Sequence, residues 1–150
     1  MDKPNLSESS FALWHLIGSV HHSLLLPRQK ELNPYNLPAR QAYVLRVIQD
    51  LGPQVTLSKL AKKVERTVHV ISRQTIKMEK DGLIKRIKDT PKSNLVRIEL
   101  TRQGLEMVRI SRQSKSIDTI FSCLSREERQ QLESILNKKL VKIQDVLASD

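Results

Sequence analysis

The sequence predicts a mainly α fold with one small β-hairpin, flanked by long helices at both ends. Three observations carry that expectation. Apolar residues recur at three- and four-residue steps through most of the 150-residue chain. One stretch, 83–100, instead reads as two short alternating strands about a turn-rich tip. The basic charge is concentrated beside it: residues 56–102 hold 13 Lys+Arg against 5 Asp+Glu, a net of +8 within a formal +10. An excess packed into one third of the chain is a local electrostatic footprint of the kind that faces a polyanion.

Composition narrows the class further. Hydrophobic residues at 39% and charged residues at 28% describe an ordinary globular chain, one domain by length. Aromatics at 3% are too few for a stacking platform on single-stranded nucleic acid. The single cysteine, Cys123, excludes an internal disulfide and a cysteine-built zinc site. It fits a reducing cytosol, so a cytoplasmic protein is expected, with Cys123 as a buried apolar thiol. The apolar run 11–26 is too short to span a membrane and is interrupted by His15, Gly18, Ser19, His21 and His22. It has no cationic flank or small-residue cleavage site, so no signal peptide is expected.

In chain order, residues 1–8 read as a loose terminus. Phe11, Leu13, Trp14, Leu16, Ile17, Val20, Leu24 and Leu25 predict a helix over 9–26, buried on more than one side and stopping near Pro27. Pro27, Pro34 and Pro38 make 27–38 a connector. Ala42, Leu45, Val47, Ile48 and Leu51 predict a helix ended by Gly52-Pro53. Thr56 caps a short helix with Leu57, Leu60, Ala61 and Val64; Thr67 caps another whose apolar candidates are Val70, Ile71, Ile76 and Met78. Gly82 suits its left-handed C-terminal position. Strands follow at 83–87 and 95–100, with the tip at 89–94. A long helix over 103–123 carries Leu105, Val108, Ile117, Ile120, Phe121 and Leu124. Ser125-Arg126-Glu127-Glu128 is a capping box. Behind it Leu132, Ile135, Leu136, Leu140, Ile143, Val146 and Leu147 form a stripe.

Helix, turn, helix, strand, tip, strand is the order of a winged helix-turn-helix. Residues 57–64 would brace residues 68–81, which would lie in a major groove. His69, Ser72, Arg73 and Lys77 are available there, with Thr67 and Thr75 beside them, and residues 69, 72–73 and 76–77 share a helical side. Arg73 is the base-reading candidate, since a guanidinium can grip guanine O6 and N7 together. Thr67, Ser72 and Lys62 (or Lys63) are placed for phosphate contacts, which position without reading. Lys92 at the tip would reach the backbone or minor groove.

Met78-Glu79-Lys80-Asp81-Gly82-Leu83-Ile84-Lys85-Arg86, followed by Leu100-Thr101-Arg102-Gln103-Gly104, resembles the MarR family of winged helix-turn-helix regulators. The resemblance covers nearly the whole chain as one domain, 1–150. It implies a DNA-binding part over 38–102, with 9–26 and 103–148 as dimerisation helices. It also implies a homodimeric repressor on a palindromic double-stranded operator, relieved by a small, often aromatic ligand. Trp14, His15, Tyr43 and Met107 are the ligand candidates by this analogy. The family's wing usually carries Asp-x-Arg where this chain has Lys92-Ser93-Asn94. The arginine position is Asn94, and Lys92 or Arg97 would have to compensate, although lysine lacks the planar fork. The wing is therefore expected to hold phosphate more than to choose sequence.

Other classes fare worse. His15, His21 and His22 do not match a standard ligand spacing, so no metal is expected. No Gly-rich phosphate loop, nucleophile elbow or cysteine–histidine arrangement is present, so neither an enzyme nor a cofactor is expected. The alternative is a winged-helix module that binds another protein, its charge incidental. The charge lies on the reader helix and wing, which favours DNA.

Overall fold

Helix starts are set by side-chain caps. Ser9, Thr56, Thr67, Thr101 and Ser125 each accept the backbone N–H three residues on, at 3.0–3.3 Å. Such caps contribute about 1 kcal/mol each. Glu128 returns the bond to the Ser125 amide at 2.8 Å, completing the expected capping box. The computed structural model describes residues 9–149; the terminus expected over 1–8 lies outside them.

The chain divides at Ser114/Lys115 into two compact units. The first runs α1 (Ser10–Leu32), a 3-10 turn (Asn33–Tyr35), α2 (Ala39–Leu51), β1 (Val55–Thr56), α3 (Leu57–Lys63), α4 (Val68–Lys80), β2 (Ile84–Ile87), β3 (Arg97–Leu100) and α5 (Arg102–Arg112). The strands form one antiparallel sheet ordered β1-β3-β2. Its register sets Val55 against Ile98, and Ile84 against Leu100. β1 was not expected, since two residues carry no periodicity. Leu45, Leu60, Ile71, Met78 and Ile84 are fully buried in the shared core. Each stabilises the fold by about 1.5–3 kcal/mol relative to exposure.

α1 departs from expectation twice. It runs through Pro27 to Leu32, although an internal proline costs about 3 kcal/mol. Tertiary contacts hold the turn beyond it. Buried Arg28 donates to Glu31 at 2.7 Å and to the Ser111 carbonyl at the end of α5. Gln29 accepts the Ala39 amide at 2.8 Å, capping α2 where Pro38 has no side chain to do so. The second departure is burial. Phe11, Trp14, Leu16, Ile17 and Val20 are exposed, so the helix is not buried on several sides within one chain.

The helix-turn-helix bend is a left-handed closure without glycine. Glu65 takes φ 53°, its amide donating to Lys62 O at 3.3 Å and that of Arg66 to Ala61 O at 3.0 Å. This is the Schellman pattern. α4 ends the same way at Gly82, φ 76°, as expected. There the Thr101 hydroxyl donates to Gly82 O at 2.6 Å, and the Thr101 amide to Leu83 O at 3.1 Å.

The second unit holds α6 (Lys115–Phe121) and α7 (Arg126–Ala148). The single helix expected over 103–123 is thus two, separated at Gln113-Ser114. Gln113 leaves the helical region at ψ 75°, and local turn bonds replace the helical ladder. Cys123 is exposed rather than buried, its Sγ donating to Ile120 O at 3.2 Å. The stripe of α7, from Leu132 to Leu147, is exposed throughout.

Gly104 is buried, and a Cβ there would lie 2.0 Å from Leu83 O, a backbone atom with little room to yield. Gly104→Ala should lower stability by about 1–3 kcal/mol through overpacking, read as a lower urea midpoint at unchanged m-value. An unchanged midpoint would show that the start of α5 moves aside without cost.

Candidate nucleic-acid interface

α4 is anchored by one face and leaves the other to solvent. Ile71, Thr75 and Met78 are fully buried, a spacing of four and three that fixes the inward side. Thr75 is satisfied there by donating to Ile71 O and Ser72 O at 2.9 and 3.0 Å. Opposite lie His69, Arg73, Ile76, Lys77 and Lys80, all exposed. Val70 and Ile76, the other two apolar candidates of this helix, are exposed at 47% and 51%. Helical geometry turns them away from the Ile71–Met78 side.

The structure brings most of the expected contact residues to this neighbourhood. Thr67 caps α4 through its oxygen, which leaves its O–H as a donor. Ser72, at the edge of the outward side, accepts from Arg86 Nη2 at 3.3 Å. Arg73 makes no ion pair among the described residues. Lys77 pairs with Asp81 one turn on, at 2.8 Å, with both side chains largely exposed. Exposed Lys62 and Lys63 end α3.

The wing is fastened to α4 at its base. Glu79 accepts the Arg86 amide at 2.7 Å, and the Arg86 guanidinium reaches back to Ser72. Lys92 and Asn94 at the tip are exposed. Arg97 is not presented in the same way. It donates twice to Asp89 Oδ1, at 2.6 and 3.2 Å, and lies 3.7 Å from Glu99. Hydrogen bonding to Asp89, then its charge, raises the guanidinium pKa above its ordinary value. The group braces the two ends of the wing loop. Sequence reasoning missed this pair because Asp89 reads as a turn residue.

The four ligand candidates lie on three helices, α1, α2 and α5. Trp14 stacks on Phe11 with centroids 5.6 Å apart, and His15 beside it is exposed. Tyr43 is exposed on α2; Met107 is half-buried on α5 against the core. An open cleft of about 220 Å³ lies between the end of α2 and β3, lined by Ile48, Gln49, Pro53, Ile98 and Leu100 among others. None of the four lines it. Among the described residues no three His, Cys, Asp or Glu side chains cluster as a metal site would need. No described helix is long and apolar enough to cross a membrane.

Comparison with known proteins agrees with this geometry. The MarR family model matches residues 37–91, from the approach to α2 to the wing tip. Over that stretch the chain is similar to the MarR family. Among solved structures, the organohalide-sensing transcriptional regulator RdhR in its 2,4-dichlorophenol-bound form is 27% identical. The match covers 92% of this chain and 84% of that one, at a TM-score of 0.80. Staphylococcus aureus MepR, solved with DNA, is 23% identical over 86% of this chain and 96% of that one, TM-score 0.79. A cysteine-to-serine mutant of Escherichia coli MarR with operator DNA is 22% identical over 85% and 93%, TM-score 0.78. These last two share the fold. No curated protein matches by sequence.

Proposed function

We propose that this chain is a sequence-specific, double-stranded-DNA-binding transcriptional regulator acting as a homodimer, a repressor released by a small aromatic ligand. The outward side of α4 carries the reading: a cationic stripe of Arg73, Lys77 and Lys80 with His69 beside it, exposed while its back is locked into the core. Each protomer lays α4 in one major groove, the two about 34 Å apart on one face of a palindromic operator. Arg73 grips guanine, His69 and Lys77 flank it, and Thr67, Ser72 and Lys62 hold phosphates. Lys92 meets the backbone from the wing tip, and Arg97 keeps the wing in shape. MepR and MarR, solved with DNA, and RdhR, solved with 2,4-dichlorophenol, support the two halves of this reading.

The dimer would cover the apolar sides of α1 and α7. Phe11, Trp14 and Ile17 on the first, and Ile135, Ile143 and Leu147 on the second, are each more than half exposed. Apolar surface on this scale marks an interface. Tyr43 and Met107 are retained for the ligand, with Trp14 and His15 joining them once the dimer forms. The ligand releases DNA only by its differential affinity for the two spacings of the reading heads. A protein-binding module would put its apolar contact surface where α4 instead presents cations.

Duplexes selected from a random pool provide the test. Arg73→Ala should weaken binding to the selected duplex by about 1–3 kcal/mol and relax preference at one position. Lys92→Ala should weaken selected and scrambled duplexes alike and lower the salt slope by about one. Equal loss on both duplexes for Arg73→Ala would reduce that residue to a phosphate contact.

Sedimentation equilibrium tests the pairing. The wild type should run at twice the chain mass, and Ile17→Asp combined with Ile143→Asp at the chain mass. A wild-type monomer at micromolar concentration contradicts the homodimer.

A further inference from the structure

Ile76 has no structural reason to be apolar. It is 51% exposed, outside the core cluster that takes Ile71 and Met78. It stands in a single stripe, His69–Arg73–Ile76–Lys80, at steps of four, three and four along the outward side of α4. Its nearest neighbours along the helix, three and four residues away, are Ser72, Arg73, Glu79 and Lys80, all polar or charged. An apolar protein surface does not match an isoleucine ringed by polar and charged groups. A polyanion that offers one apolar group among its phosphates does. In the major groove of DNA that group is the C5 methyl of thymine.

Resting on the DNA reading proposed above, we infer that Ile76 is a specificity residue that reads a thymine methyl beside the base gripped by Arg73. Three residues of helix rise about 4.5 Å, and base pairs stack about 3.4 Å apart. The thymine therefore lies one or two base pairs from the Arg73 contact. The wing side of α4 is held in place to do this. Ser72 and Glu79, which flank Ile76 by four and three residues, are both bonded to Arg86 at the start of the wing. Ile76 is thus presented on a braced surface. Val70, exposed at 47% on the other flank, adds a second apolar position nearer the helix start.

The test removes only the methyl. Each thymine of the selected duplex is replaced in turn by deoxyuridine, and binding is followed by fluorescence anisotropy for wild type and Ile76→Ala. Alanine keeps the helix, and the site is half-exposed, so folding is retained. Wild type should lose about fourfold at one thymine, the value of one buried methyl, and Ile76→Ala should show no loss there. Restoring the methyl as 5-methylcytosine paired with guanine at that position should recover part of the wild-type contact and none for the variant. Specific binding with no such position overturns this inference alone. Failure of the random pool to yield any preferred duplex overturns the DNA reading, and this inference with it.

Discussion

The architecture depends on one close approach, that of Gly104 to the carbonyl of Leu83. The N-terminus of α5 sits so tightly on the link between reader helix and wing that a single Cβ would not fit. Thr101 closes the contact from both sides. Its hydroxyl donates to Gly82 O and accepts the Gly104 amide, while its own amide donates to Leu83 O. One residue therefore joins the end of α4, the start of the wing and the first turn of α5. Gly82 is required for its left-handed φ, Gly104 for its missing side chain, and Thr101 for one donor and one acceptor on one atom. The two motif halves, Asp-Gly-Leu and Leu-Thr-x-x-Gly, are two sides of one contact.

From that joint the reader helix gains its orientation. Its inward side belongs to the core, and its outward side is left with no intramolecular task beyond the Lys77–Asp81 pair. The wing takes its angle from Arg86 and Glu79 and its shape from Arg97 and Asp89. The exposed charge on this side contributes little to stability. It gives the surface a field that attracts a polyanion and weakens with salt.

Much of this was legible in the residues, and the rest was not for definable reasons. Thr56, Thr67, Gly82 and the Ser125 capping box act locally, so their sequence signatures placed the helix ends to within a residue or two. Pro27 misled because Arg28 and Gln29 make distant bonds, to Ser111 and Ala39, that hold the helix beyond it. The left-handed Glu65 carries no glycine to announce it. The break at Gln113-Ser114 lacks any breaker residue. β1 is too short to show a period. The apolar sides of α1 and α7 were read correctly as apolar, but periodicity does not say whether an apolar side is buried, and many of their residues are exposed. At the interface, the pattern located α4 and its cations. It counted Val70 and Ile76 with Ile71 and Met78 as the helix's apolar candidates, because periodicity counts apolar residues without distinguishing the buried side from the outward one. It also left Arg97 unpaired, since Asp89 is eight residues away across the wing.

The most direct measurement is fluorescence anisotropy of the wild-type protein on DNA from beside its own gene and on scrambled DNA, between about 50 and 200 mM salt. Preference for the native fragment, with affinity falling roughly 10³-fold or more across that range, is the predicted result. Equal, weak binding to both fragments at every salt concentration would contradict a sequence-reading role for α4 at that site.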